Sequence, residues 1–391
     1  MKKKICFVVQ RYGLEVNGGA ELCCRQIAEH MLSRYTDVHV LTTKAVDYMT
    51  WEDVYEKDEE DINGVHVHRF GVTHPRNLNK FNTINARFFA GNLPQSEERE
   101  WVERQGPAVP ALIDYLKEHK DDYDAFIFFT YLYYPSVIGI PEVAEKAIAV
   151  PTAHDEPFLK MKIYDNVFLR PRSFFFLTTE ERELVHEKYH NEHIPSQIGG
   201  VGLDLPETVD GERFKEKFGV KNYLLYVGRL DGGKNVPELL EFFRRYKDNH
   251  PASDLQLVTI GRAFIPIKEQ EDIVHLGFLP EDQDKFDGIA GAKMLILPSK
   301  FESLSMVVLE AMAVGTPVIV NGGCEVLKGH CTKSNGAFYY ESYEQFEKCV
   351  DFYLNYPVQT QAMIANAHRY VDENYRWDVI VDHLSILIED I

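Results

Sequence analysis

No apolar run in this 391-residue sequence approaches the ~20 residues that a bilayer-spanning helix needs. Positive charge is scarce as well: 42 Lys and Arg stand against 61 Asp and Glu, a formal net charge of −19. Phosphate-rich partners reward the opposite sign, so duplex nucleic acid is excluded as a partner and membrane contact is at most peripheral. The six cysteines (Cys6, Cys23, Cys24, Cys324, Cys331, Cys349) form no Cys-x-x-Cys pair and have no His partner at zinc spacing. Reduced core thiols are expected. Lys2-Lys3-Lys4 before Ile5-Cys6-Phe7-Val8-Val9 imitates a signal peptide, but the apolar stretch ends at Gln10-Arg11, short of the ~7–15 residues of a secretory core. A buried first strand is the better reading, and a cytoplasmic protein is expected. No Gly-x-Gly-x-x-Gly follows that strand, which argues against a nucleotide-dependent dehydrogenase.

What is present is ordinary globular composition, 45% hydrophobic and 26% charged, in a length that suits two domains. Short β-rich runs alternate with helical patterns, the signature of parallel sheets built from βα units. In the first half these runs are Ile5–Val9, Val38–Thr42, Val65–Phe70, Ala125–Phe129, Ala147–Val150 and Phe174–Leu177, with a less regular stretch from Thr43 to Gly106. The second half restarts with Tyr223–Val227, Leu255–Ile260, Ile273–Leu276, Met294–Leu297 and Val318–Val320. Gly and Pro break the pattern between Gly199-Gly200 and Val220. Apolar residues from Trp377 to Ile388 recur at helical spacing, and periodicity leaves open which domain that helix completes.

Three segments carry candidate chemistry. Asn17-Gly18-Gly19-Ala20-Glu21 opens a helix after the first strand; it suits either close approach to a phosphate or a tight turn. Gly228-Arg229-Leu230-Asp231-Gly232-Gly233-Lys234 sets two cations at a strand's carboxyl end, suited to a diphosphate, or else to a surface turn with a salt bridge to Asp231. Pro298 to Val318 holds Glu302 and Glu310 eight residues apart, with a helix expected from Ser303–Ser305 to Gly315. Helical rise would separate the two backbones by roughly 12 Å or less on a similar side. Glu310 lies among Val308, Leu309, Ala311 and Met312, so a buried carboxylate needing a partner is expected. The acidic runs Glu59-Glu60-Asp61 and Asp121-Asp122-Tyr123-Asp124 read as solvated faces, and no metal site is expected. Tyr131-Leu132-Tyr133-Tyr134, Trp51 and Trp101 suit either acceptor stacking or core packing.

Together, the Glu-x7-Glu run followed by Glu-Ala-Met-Ala-x-Gly-x-Pro-Val, the Gly-Arg-x4-Lys turn and the Gly-Gly-x-Glu segment resemble the family 4 glycosyltransferases. Ile198 to Asp204 resembles that family's interdomain stretch, and Asn374-Tyr375-Arg376-Trp377-Asp378 the start of its last helix. The resemblance implies a retaining enzyme of the GT-B fold: an α/β protein of two facing Rossmann-like, doubly wound domains with an interdomain cleft. The domains implied are 1–203 for the acceptor, 204–371 for the nucleotide sugar, and a helix at 372–391 crossing back to the first domain.

By the same resemblance Arg229 and Lys234 bind the donor diphosphate, with Gly228 in their turn, and Gly18 and Gly19 approach it as well. Glu310 takes the ribose hydroxyls and Glu302 the transferred sugar. Backbone around Leu304, Ser305 and Met306 meets sugar and phosphates, Leu276 lies in the nucleobase pocket, and His154 in Ala153-His154-Asp155 is the family's cleft histidine. Ser303 and Ser305 replace glycines usual in the family, a departure that bears on which sugar fits. The implied activity is transfer from a nucleotide diphosphate sugar to an acceptor hydroxyl of a carbohydrate or glycolipid, without metal or other cofactor. A nucleotide-sugar epimerase or hydrolase of the same fold, or a non-catalytic scaffold, are the alternatives.

Overall fold

The computed structural model describes residues 3–16, 18–267 and 272–391. Lys2 and Asn17, named in the motifs above, lie outside the described residues. The chain divides into two compact units, Met1–Gly202 with Trp377–Ile391, and Leu203–Arg376.

The first unit is built on eight strands: β1 (Lys4–Val8), β2 (Asp37–Thr43), β3 (Glu59–Ile62), β4 (Val65–Phe70), β5 (Ala125–Phe129), β6 (Ala147–Val150), β7 (Ser173–Phe176) and β8 (Ser196–Ile198). Their order is β3-β4-β2-β1-β5-β6-β7-β8. Only the β3–β4 pair is antiparallel. Central strands such as Ala-Phe-Ile-Phe-Phe in β5 and Ala-Ile-Ala-Val in β6 are buried at every residue, because helices cover both faces of a parallel sheet. The acidic run Glu59-Glu60-Asp61, read as a solvated face, forms the edge strand β3 with Glu59 and Asp61 exposed; charge there discourages pairing with another chain. It also has an inward task, since Glu60 lies 2.7 Å from the fully buried guanidinium of Arg69.

The stretch after β2, irregular by sequence, carries helices Leu78–Phe89 and Glu98–Gln105. Trp101 packs on Phe81 between them, with ring centroids 5.5 Å apart. Trp51 is buried too, donating its indole N–H to the carbonyl of Gln105 at 2.8 Å. Tyr131 and Tyr134 are likewise buried. Of the alternatives open for these aromatics, core packing is the one realised at Trp51, Trp101, Tyr131 and Tyr134.

Helix Trp377–Glu389 belongs to the first unit. Trp377 stacks on His30 at 3.8 Å between centroids, and the Ile388 carbonyl accepts from Lys3 Nζ at 2.6 Å. Its predecessor, Pro357–Asn374, stays with the second unit, so residues 372–376 precede the return. All six cysteines are free thiols. Among the described residues no helix is long and apolar enough to cross a membrane.

The second unit has six strands, β9 (Tyr223–Val227), β10 (Gln256–Ile260), β11 (Ile273–His275), β12 (Met294–Leu297), β13 (Val318–Asn321) and β14 (Phe338–Tyr340). They run in the order β11-β10-β9-β12-β13-β14, all parallel. The order reverses between β9 and β12. Each unit is thus a Rossmann-like layer whose binding crevice is expected at the carboxyl ends of the strands flanking its reversal point, β1/β5 and β9/β12.

Candidate functional site

In the second unit, the loops leaving β9 and β12 emerge side by side at the reversal point. Two bonds join them: Lys234 Nζ lies 2.7 Å from Glu302 Oε1, and Asn235 Nδ2 donates to the Pro298 carbonyl at 3.1 Å. Asp231 organises the first loop from within. It accepts from the Lys234 amide at 2.8 Å and lies 3.6 Å from Arg229 Nε. Of the two sequence readings of this turn, the local salt bridge to Asp231 is present at Arg229, while Lys234 reaches across to Glu302 instead. The Arg229 side chain is 49% exposed. Tyr226 fixes the turn from below by donating to the Arg229 carbonyl at 2.7 Å; burial pushes its phenol well up, so it stays a donor.

Gly228 requires glycine, with φ +150°. A second glycine, overlooked in the motif reading, makes room beneath it. At Gly261 φ is +133°, and a Cβ there would lie 1.9 Å from the Gly228 carbonyl oxygen. The available signal was a glycine directly after a β-rich run, as in Ile260-Gly261.

The helix after β12 spans Met306–Val314 and ends at Gly315 with φ +89°. Ser305 stands just before it in the left-handed region at φ +68°. Glu302 is consequently in the loop, not on the helix, and the helical-rise argument relating it to Glu310 does not hold. The two carboxylates are held separately. Glu302 meets Lys234, whereas Glu310, 8% exposed, meets Lys285 Nζ at 2.9 Å from helix Asp282–Gly291. Lys285 is the partner a buried Glu310 requires; nothing in sequence spacing distinguishes it from other surface lysines. Leu276 follows β11 and donates its amide to Thr259 at 3.0 Å. Half-exposed Phe278 lies near it, with the Arg262 guanidinium 5.8 Å from its ring.

The first unit has its own constellation. Gly18 caps helix Gly19–Met31 in an extended conformation, and a Cβ there would come within 2.1 Å of Glu21 Oε2. Glu21 is buried and accepts from Arg11 Nη2 at 2.6 Å and Gln10 Nε2 at 2.8 Å. A Cβ at Gly19 would meet nothing within 4 Å. Gly18 is therefore demanded by packing, and Gly19 borders open space. His154 follows β6, with Nδ1 3.7 Å from Glu156 Oε1. Its loop contains Thr152 at φ +52° and is pinned by Glu181, which accepts from the Ala153 amide at 2.7 Å and the Leu177 amide at 2.8 Å. Burial pushes the Glu181 carboxyl up to about 8 despite these donors. Thr178 caps helix Thr179–Tyr189 and Glu181 follows three residues later, so the capping-box spacing was the legible signal for Glu181.

Among the described residues no group of three or more His, Cys, Asp or Glu is placed to hold a metal ion. The second unit offers what a diphosphate and a polyol require: cations and helix-start amides for the anion, and two separated carboxylates for hydroxyls.

Two layers of this kind define the fold of GT-B glycosyltransferases. The crystal structure of Anabaena Alr3699/HepE in complex with UDP and glucose superposes with a TM-score of 0.72 at 13% identity, over 100% of both chains. Residues 210–370, within the second unit, match the family model "Glycosyl transferases group 1". An uncharacterized glycosyltransferase of Methanocaldococcus jannaschii is 29% identical over 196 residues, 46% of this chain and 48% of its own length. One from Haemophilus influenzae is 26% identical over 216 residues, 53% and 58% respectively. The chain thus spans about half the length of these two relatives.

Proposed function

We propose that this protein is a retaining glycosyltransferase of family 4 that moves a hexosyl group from a nucleotide diphosphate sugar to an acceptor hydroxyl. The observation carrying the reading is the Lys234–Glu302 pair at the β9/β12 reversal point, beside the start of helix Met306–Val314. Arg229 and Lys234 are assigned to the diphosphate, Glu302 to the sugar and Glu310 to the ribose hydroxyls. Backbone of Leu304, Ser305 and Met306 is assigned to sugar and phosphate, and Leu276 to the base. The family resemblance adds Gly18 and Gly19 for the donor and His154 as a catalytic-site residue of the first unit. The HepE structure with UDP and glucose supports a uridine nucleotide as the first donor to try.

In this reading the bond from the anomeric carbon to the β-phosphate oxygen breaks and negative charge gathers on the departing diphosphate. Arg229 and Lys234 stabilise that charge more in the transition state than in the ground state. The acceptor hydroxyl enters on the face the diphosphate leaves, passing its proton to a donor phosphate oxygen, so configuration is retained without a protein nucleophile. No metal enters this scheme. Polysaccharide or glycoconjugate assembly in the cytoplasm is the proposed setting, with a carbohydrate or glycolipid acceptor.

The test is a thermal-shift screen over UDP, GDP and ADP sugars, because a ligand binding only the folded state raises the melting temperature. It is followed by NMR of the product's anomeric proton. A stabilising donor and a product of unchanged anomeric configuration are expected. Absence of any nucleotide-dependent shift rejects the donor site, and full donor consumption without acceptor replaces transfer by hydrolysis or epimerisation.

A further inference from the structure

His330 is fully buried on helix Glu325–Ser334 of the second unit. Both ring nitrogens are engaged. Nε2 lies 2.7 Å from the carbonyl oxygen of Leu304, and Nδ1 lies 3.0 Å from the Tyr370 hydroxyl. A carbonyl oxygen only accepts, so Nε2 carries a proton. Tyr370 and Tyr375 hydroxyls lie 3.1 Å apart, continuing the chain. An Nε2–H ring with Tyr370 donating to Nδ1 satisfies both contacts.

The carbonyl His330 holds belongs to the peptide unit joining Leu304 to Ser305. In a trans peptide the C=O and N–H point in opposite directions. With the Leu304 oxygen drawn inward to a buried ring, the Ser305 N–H is aimed the other way. Ser305 is also the residue at φ +68°, a conformation that a side-chain-bearing residue keeps only when its surroundings impose it.

We propose that His330 is a positioning residue for the donor: by binding the Leu304 carbonyl it holds the Leu304–Ser305 peptide so that the Ser305 amide presents to the nucleotide sugar. The proposal rests on the donor-site reading of the Glu302–Met306 segment.

The test uses the full chain, with UDP-glucose as the first probe and the best-stabilising nucleotide sugar of the screen in its place if that differs. Glutamine can set its Nε2 where the histidine Nε2 stands, whereas the shorter asparagine amide overlays Nδ1 and does not reach Leu304. His330→Phe and His330→Asn are expected to raise the donor KM about tenfold, as loss of one orienting hydrogen bond does. The kcat is expected to change much less, and His330→Gln to recover most of the loss. Should His330→Phe not fold, the Gln and Asn pair decides. Long-range 15N NMR of the ligand-free protein should show a protonated Nε2.

A ring with no proton on Nε2, or equal KM values for all variants and wild type, overturns the role of His330 while leaving the donor site standing. A wild-type protein that binds no nucleotide sugar removes the donor reading and this proposal together.

Discussion

Lys234 Nζ lies 2.7 Å from Glu302 Oε1, joining the loop after β9 to the loop after β12. A cation assigned to the leaving diphosphate is thereby held by the carboxylate assigned to the sugar. Lys234→Ala and Arg229→Ala are each expected to lower kcat/KM more than tenfold, about 1.4 kcal/mol or more of transition-state stabilisation. Steady-state kinetics with saturating acceptor checks this; wild-type-like rates would reject the diphosphate role.

The Lys285–Glu310 pair separates stability from binding. Lys285→Met leaves a buried carboxylate without its cation and is expected to cost about 2 kcal/mol, less than a fully buried pair because Lys285 keeps some solvent. Adding Glu310→Met to that variant should restore most of the stability while abolishing nucleotide binding. Urea unfolding beside calorimetric titration with the nucleotide distinguishes the two.

Neighbouring glycines should behave differently. Gly18→Ala forces a Cβ to 2.1 Å from Glu21 and should destabilise by roughly 1–3 kcal/mol, the usual cost of overpacking. Gly19→Ala meets open space and should leave the melting temperature nearly unchanged, yet lower donor affinity. Equal affinity in Gly19→Ala and wild type would detach that turn from the donor.

Glu181 makes a pH prediction. Its buried carboxyl is raised from 4.5 to about 8, so between these values the folded chain holds a proton that the unfolded chain has released. Stability from this group is complete below pH 4.5 and is lost as pH rises through about 8, with a slope of at most about 1.4 kcal/mol per pH unit. Unfolding free energies across that range should fall in the wild type and be flatter in Glu181→Gln. Matching slopes would show Glu181 to be ionised throughout.

Much of the framework was legible without coordinates. The runs Tyr223–Val227 and Ala125–Phe129 declared parallel strands because residues buried on both faces must be apolar throughout. Gly315 marked a helix stop because it takes up a left-handed backbone. Helix Met306–Val314 was placed correctly at its end and too early at its start. The loop from Pro298 to Ser305 holds its shape through Lys234, Asn235 and His330, none of them local in sequence. Strand β14, three residues long, is too short for alternation to register.

Sequence by itself determined which residue types stand where the chain turns from strand to helix, since those turns are fixed by local backbone geometry and by glycine and proline. Tertiary structure alone decided which polar groups pair: Lys234 with Glu302 across 68 positions, Lys285 with Glu310 across 25, and the His330 ring with the Leu304 carbonyl across 26. A buried or half-buried charge needs a partner, but which partner it finds depends on the order of strands in the sheet, and that order is set by packing of the whole unit rather than by any short segment.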